Sequence, residues 1–231
     1  DPYNEWTCNS DYLDYIFVAH DKIKKCLINK GIPENKIFDT GIPVSEKFLE
    51  KYDKISTFKS LDFDVHKKTI IFFGGGELGL GKSKTLEIFE LLIKNSDNLQ
   101  IIAISGKNES LKNSFEKIVK DFNKSNSIKI LGFTDKVAEF MAVSDLVITK
   151  PGGLTSTEAL VSNIPIIAIN PIPGQEEENA NFLEKNGAAI WLKKNQDIEL
   201  VLKVILNDDE KISLMKNNIK KIAKPNSTHD I

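Results

Sequence analysis

From residue 68 to residue 192 the chain alternates short apolar runs with longer amphipathic ones. The apolar runs, at 69–73, 99–105, 127–131, 146–149, 165–169 and 188–192, are rich in Ile and lack the strict polar alternation of a half-exposed strand. Runs of this length, bounded by Gly, Pro and Asn, predict strands buried on both faces. The segments between them, 83–95, 109–123, 134–143, 155–162 and 177–186, repeat apolar residues at three- and four-residue spacing and predict helices. One or two closing helices are expected over 197–222. Strands alternating with helices imply a parallel sheet covered on both faces, an α/β, Rossmann-like, doubly wound architecture. Upstream the rhythm is weaker. Residues 15–19 read as a strand, 21–29 as a helix closed by Gly31, and 36–38 as a second short strand. Gly41-Ile42-Pro43 stops regular structure, and 45–66 is mostly charged and weakly periodic. The division that follows is residues 1–43 as the tail of one domain, 44–66 as a linker and 67–231 as a second domain.

Ligands of such sheets bind outside the carboxyl ends of the strands. Those ends carry the loops 74–81, Ser105-Gly106, Gly132-Phe133-Thr134, 150–154 and 170–176, and their glycines let several backbones approach one ligand. The stretch 150–160 is the densest in candidate chemistry. A short strand leads into Gly152-Gly153, then come the hydroxyls of Thr155, Ser156 and Thr157 where a helix begins, then Glu158. A helix start offers free N–H groups and a positive dipole end to an anion, and a carboxylate can accept hydrogen bonds from a sugar diol. The combination suits a nucleotide diphosphate; a capped helix after an ordinary turn is the structural alternative.

Composition narrows the chemistry further. The 231 residues are 41% apolar and 28% charged, with net charge -2, so the overall charge does not ask for nucleic acid. No arginine occurs among the 31 basic residues, so a phosphate must be held by backbone N–H groups, hydroxyls or lysine rather than by a bidentate guanidinium. Cys8 and Cys26 have neither metal spacing nor a disulfide framework, and His20, His66 and His229 are scattered. A reducing cytoplasm is expected. No apolar run approaches the ~20 residues of a membrane span. The chain begins with Asp1 and is expected to be part of a longer protein.

Two motifs compete with the 150–160 stretch. Gly76-Glu77-Leu78-Gly79-Leu80-Gly81-Lys82-Ser83 matches the phosphate-binding pattern G-x-x-x-x-G-K-S after a strand and before a helix. A P-loop NTPase also needs an acid at a strand end for Mg²⁺, and the other strand ends read Ser105, Thr149-Lys150 and Asn170-Pro171. Asp62-Phe63-Asp64 resembles a metal-holding D-x-D but lies in the charged linker, where solvated charge explains it. Gln175-Glu176 follows Pro171 and Pro173-Gly174 at the ligand edge, where it suits sugar hydroxyls or simply a helix start.

Four segments taken together carry a resemblance: Phe73-Gly74-Gly75-Gly76; Ser105-Gly106-Lys107-Asn108 with Leu111; Leu131-Gly132-Phe133-Thr134-Asp135; and the run from Lys150 to Leu160 continued by Asn170-Pro171-Ile172-Pro173-Gly174-Gln175-Glu176 to Asn179. The chain resembles the nucleotide-sugar half of family 28 glycosyltransferases, above all the diacylglycerol glycosyltransferases and monogalactosyldiacylglycerol synthases, and more distantly the N-acetylglucosaminyltransferase of peptidoglycan synthesis. The resemblance implies the C-terminal half of a GT-B fold with a remnant of the N-terminal domain. It also implies metal-free, inverting transfer of a hexose from a UDP-sugar to a lipid hydroxyl such as that of diacylglycerol. By position, Phe133 and Thr134 would frame the uracil and Glu158 would hold the ribose. Gly75, Gly76, Thr155 and Ser156 would surround the diphosphate beside Gly152 and Gly153, and Gln175 and Glu176 would read the donor sugar. No metal and no cofactor beyond the donor is implied.

The resemblance also has gaps. The acceptor domain, which in the family carries the catalytic base, is expected to be largely absent, so no residue is assigned as the base and His20 reads as structural. Tyr3 stands where the diacylglycerol branch has a His before the Trp matched by Trp6. The chain ends shortly after Lys224-Pro225, without the helix that in GT-B proteins crosses back onto the first domain. The fragment is expected to bind donor without turning it over. It is expected in the cytoplasm or peripherally on the inner face of the plasma membrane, with the lysines of 216–224 either touching anionic lipid or forming a solvated face. Alternatives are a P-loop NTPase using residues 76–83, a non-catalytic nucleotide-sugar binding module, and a UDP-sugar epimerase.

Overall fold

The computed structural model describes residues 12–75, 82–94, 96, 98–193 and 198–231. At the N-terminal side, strand β1 (Ile16–Phe17), helix α1 (Asp21–Asn29) and strand β2 (Ile37–Phe38) form a small parallel unit around Val18, Leu27, Ile32 and Ile37. Helix α2 (Lys54–Ser60) follows. Six strands then form one parallel sheet: β3 (Lys68–Phe73), β4 (Leu99–Ile104), β5 (Ile128–Leu131), β6 (Leu146–Thr149), β7 (Ile166–Ile169) and β8 (Ala189–Leu192). Helices α3 (Lys82–Lys94), α4 (Glu109–Asp121), α5 (Val137–Val143), α6 (Gly153–Val161) and α7 (Gln175–Lys185) connect them, and α8 (Ile198–Leu206), α9 (Asp209–Ile222) and the short α10 (Ser227–Asp230) close the chain.

Period-two alternation along the strands explains both the continuous apolar runs and the two layers. Ile70, Phe72, Ile101, Ala103, Leu146 and Ile148 point to one face and pack against α3, α4, α8 and the start of α9 through Phe89, Leu92, Phe115 and Ile205. Ile71, Ile102, Ile104, Val147, Ile166 and Ala168 point to the other and meet α2, α5, α6, α7 and the end of α9 through Phe58, Met141, Ala159, Leu183 and Ile219. The strand order is β5-β4-β3-β6-β7-β8. The chain thus winds outward from β3 through β5, returns to β6 on the other side of β3, and winds outward again. That reversal leaves a crevice between the carboxyl ends of β3 and β6.

The expected linker does not run free. Residues 45–66 contain α2, whose start is capped by Asp53 accepting from the Ser56 N–H (2.8 Å). Phe58 is fully buried in the second layer beside Leu61 and Phe63. The buried amide of Gln100 then pins the end of the segment, accepting from Asp64 N–H (2.6 Å) and donating to the Asp64 carbonyl (3.0 Å). A helix of seven residues offers too few turns for its periodicity to stand out among charges.

The end of the chain also departs from expectation. After Pro225 it turns back onto the first unit: Lys224 pairs with Asp39 (3.1 Å), Ser227 Oγ donates to the Ile42 carbonyl (2.8 Å), and Thr228 Oγ1 donates to the Val44 carbonyl (2.9 Å). A Cβ on Gly41 would lie 2.6 Å from Lys224 Cβ, so glycine lets these two backbones meet. On the same seam the His20 ring stacks on Phe182 with centroids 4.0 Å apart.

Candidate nucleotide-binding cleft

The crevice at the strand-order reversal opens into a cleft of about 760 Å³, large enough for a nucleotide. Its near wall is the end of β3. Gly74 donates its N–H to the Ile104 carbonyl (3.0 Å), and a Cβ there would sit 2.5 Å from Leu111 Cδ2 and 2.9 Å from Phe115 Cζ. Only glycine lets the strand end pass this close under α4. Gly75 has φ +89, and Lys150 Cε lies 3.7 Å from where its Cβ would be. The Lys150 side chain therefore crosses the crevice along the glycine backbone.

One end of the cleft is formed by the loops after β4 and β5. Phe133 is 74% exposed there, Thr134 is beside it, and the Lys107 ammonium lies 5.7 Å from the Phe133 ring centroid. Asn108 caps α4 by accepting from the Leu111 N–H (2.9 Å). The middle of the cleft is the start of α6. That helix begins at Gly153 rather than at Thr155, with Gly152 as its first cap and no side chain capping it. Its first-turn N–H groups and positive dipole end therefore stay available to a ligand. Asn179 steadies the approach by donating to the Pro151 carbonyl (2.9 Å).

The first turns of α6 and α7 divide two spaces. Gly152, Thr155 and Glu176 face the cleft. Gly153, Gln175 and Asn179 face instead a cavity of about 290 Å³ on the seam with the first unit, beside Ile42, His20 and Phe182. Ser156 turns to that seam as well; it is 5% exposed and its Oγ has no partner among the described residues. Successive residues of a helix point about 100° apart, so Thr155 and Ser156 cannot both face one ligand atom. Thr157 uses its hydroxyl on the Gly153 carbonyl (2.8 Å). Glu176 accepts from the Ile172 N–H (2.8 Å), bracing a loop in which Asn170 (φ 44) and Gly174 (φ 100) are left-handed.

Glu158 lies one turn below Thr155 on the same helix face. Burial raises its carboxyl above the ordinary value of 4.5, and no charged or hydrogen-bonding group among the described residues offsets that. It is a half-buried acceptor with unused capacity. Gly76 and the rest of the Walker-like loop to Gly81 lie outside the described residues. The strands flanking β3 are β4 and β6, and they run into Ser105 and Thr149-Lys150, none of which is an acid. Among the described residues, no group of three or more His, Cys, Asp or Glu side chains is arranged to hold a metal.

Residues 69–230 match the glycosyltransferase family 28 C-terminal domain. The chain belongs to this family. It is 35% identical over 221 residues to a processive diacylglycerol beta-glucosyltransferase of Bacillus licheniformis, covering 96% of this chain and 56% of that protein. A protein of the same name from Bacillus subtilis is 34% identical over 219 residues, with 95% and 56% covered. The chain thus spans little more than half the length of these relatives. Among solved structures, HepE of Anabaena in complex with UDP and glucose superposes with TM-score 0.63 at 15% identity, covering 90% of this chain and 58% of that one. MnaA of S. aureus with UDP gives 0.71 at 17% identity (94% and 58% covered), and MurG of Acinetobacter baumannii gives 0.61 at 23% (84% and 56% covered). Identities this low show the fold alone. This family 28 domain has the α/β fold of a GT-B C-terminal half.

Three residues of this family 28 domain that stand within the quoted motifs had no role assigned from sequence. Lys107 and Lys150 line the cleft, and Asn179 ties α7 to the glycine turn. The absence of arginine pointed to lysines in general, and the motif segments already held Lys107 and Lys150 at strand ends, the signal that could have singled them out.

Proposed function

We propose that the cleft holds a UDP-sugar and that the full-length protein transfers its hexose to a lipid hydroxyl, such as that of diacylglycerol, with inversion and without a metal or further cofactor. The observation that carries this reading is the order of chemistry along one sheet edge. An exposed aromatic ring stands at one end of the cleft and glycine backbones, a helix N-terminus and a lysine in the middle; Glu158, one turn further along that helix and outside the cleft lining, is a carboxylate with no partner among the described residues. That set suits a base at the ring and a diphosphate at the helix start, with the ribose between them donating its hydroxyls to Glu158. Uracil would lie against Phe133 and Thr134, with the ribose hydroxyls donating to Glu158. The diphosphate would run over Gly75, Thr155 and the first-turn N–H groups of α6, with Lys150 beside it. The sugar would extend past Gly153 toward Gln175 and Glu176.

In transfer, negative charge develops on the departing UDP. N–H groups and an ammonium already aimed at that position stabilise it without reorganising. The relatives named as diacylglycerol glucosyltransferases support the lipid acceptor. The base that deprotonates the acceptor hydroxyl would come from the other half of the fold, as would most of the acceptor site. This domain would meet its lipid peripherally, at the cytoplasmic face; among the described residues no helix is long and apolar enough to cross a membrane.

Calorimetric titration of this chain with UDP, UDP-glucose and UDP-galactose tests the reading. UDP should bind with micromolar to sub-millimolar affinity and no sugar should be transferred. Absence of heat with UDP up to millimolar concentration would overturn the assignment. Mg²⁺-dependent ATP binding lost in Lys82→Ala would favour the NTPase instead.

A further inference from the structure

The base end of the cleft has a polar inventory that can be worked through atom by atom. Ser105 Oγ donates to the Leu131 carbonyl (3.3 Å). Thr134 Oγ1 accepts from the Lys136 N–H (3.2 Å), and Asn108 Oδ1 accepts from the Leu111 N–H (2.9 Å). Each of these side chains is engaged in holding its own loop. Lys107 differs: among the described residues no carboxylate pairs with its ammonium, which lies over the Phe133 ring at 5.7 Å. A lysine ammonium is donor-only, carrying three N–H bonds and no acceptor. A flat aromatic ring beside a donor-only cation makes a platform for a planar ring that presents carbonyl oxygen on its edge.

We infer that Lys107 selects the base of the bound nucleotide, donating to a ring carbonyl of uracil above Phe133 and disfavouring the amino-bearing edge of cytosine. This rests on the UDP reading above. A pyrimidine stacked on Phe133 displaces the ammonium from the ring face toward the ring edge, where uracil offers oxygen at position 4 and cytosine offers an amino group. Facing an amino group, the ammonium would set donor against donor and forgo the charge-assisted hydrogen bond that the uracil oxygen accepts. The flexible four-carbon stem lets the ammonium move from the ring face to the edge without moving the backbone.

The experiment compares UDP and CDP binding by calorimetry in the wild-type chain, in Lys107→Met and in Lys150→Met. Methionine keeps most of the stem and removes the charge, and Lys107 is exposed, so folding is expected to be intact and is checked by thermal melting. The wild type should prefer UDP over CDP by about tenfold. Lys107→Met should bring that ratio toward one, whereas Lys150→Met should weaken UDP and CDP by the same factor and leave the ratio unchanged. An unchanged UDP-to-CDP ratio in Lys107→Met overturns the inference while leaving the UDP site standing. A wild type that binds both nucleotides equally overturns it too. Failure of the wild type to bind UDP at all overturns the functional reading on which it rests.

Discussion

Glu158 carries a consequence of its own burial. Desolvation alone raises its carboxyl above 4.5, so just above that pH the folded chain keeps a proton that the unfolded chain has released. Stability therefore falls as pH rises through that range, and the penalty stands at neutral pH. Glu158→Gln should raise the melting temperature at pH 7, with the gain shrinking as the pH falls to 4.5 and below. A gain independent of pH would show that ionisation is not its cause. If the carboxylate is relieved by ribose hydroxyls, Glu158→Ala should weaken UDP by about 1.5–3 kcal/mol, the range for hydrogen bonds to a charged group. It should weaken 2′-deoxy-UDP less, and equal losses would argue against the ribose role. Gly74 shows the complementary case, a residue whose importance is an absence: Leu111 and Phe115 occupy the space a side chain would need.

At the scale of elements, α2 and α6 are the instructive pair. Helix α2 sits in a segment that reads as connector, yet its Phe58 is fully buried under the sheet. Phe58→Ala should cost about 3–5 kcal/mol in urea unfolding, as for other large buried aromatics; a loss under 1 kcal/mol would mean that the segment does behave as a linker. Helix α6 could be read from its glycines and hydroxyls as a helix start at the carboxyl edge of a sheet. The reading erred in starting it at Thr155 rather than at Gly153. Because successive helical residues point about 100° apart, Thr155 and Ser156 fall on different sides of the first turn, one to the cleft and one to the seam. Hydroxyls adjacent in sequence look equivalent; helix geometry separates them.

For the molecule as a whole, the first unit and the sheet domain are joined by the returning chain end as well as by the chain between them. Ser227 is fully buried and donates to the Ile42 carbonyl. Ser227→Ala should cost about 1 kcal/mol and leave that carbonyl short of a partner. Limited proteolysis should then cut faster near residues 43–45, and an unchanged rate would show that the contact does not hold the seam. Gln175, Asn179 and Ser156 face this seam, so on the proposed UDP-sugar reading its opening and closing would change what surrounds the sugar end of the donor.

The sequence by itself determined the layered α/β class, the sheet edge on which a ligand would sit and the family. Those depend on local patterns: apolar runs of strand length, amphipathic spacing between them, and glycine turns with a carboxylate at a set distance. Tertiary structure alone decided what depends on direction and on contacts distant in sequence. It decided that β3 and β6 are neighbours, so that the Gly75 and Gly152 loops face each other although they are far apart along the chain. It decided which of two adjacent hydroxyls faces the cleft, that Lys107 and Lys150 line it among the described residues, and that residues 224–231 return to residues 39–44. A side chain's direction follows from the helix or strand that carries it and from what packs behind it, and neither is written at any single position in the chain.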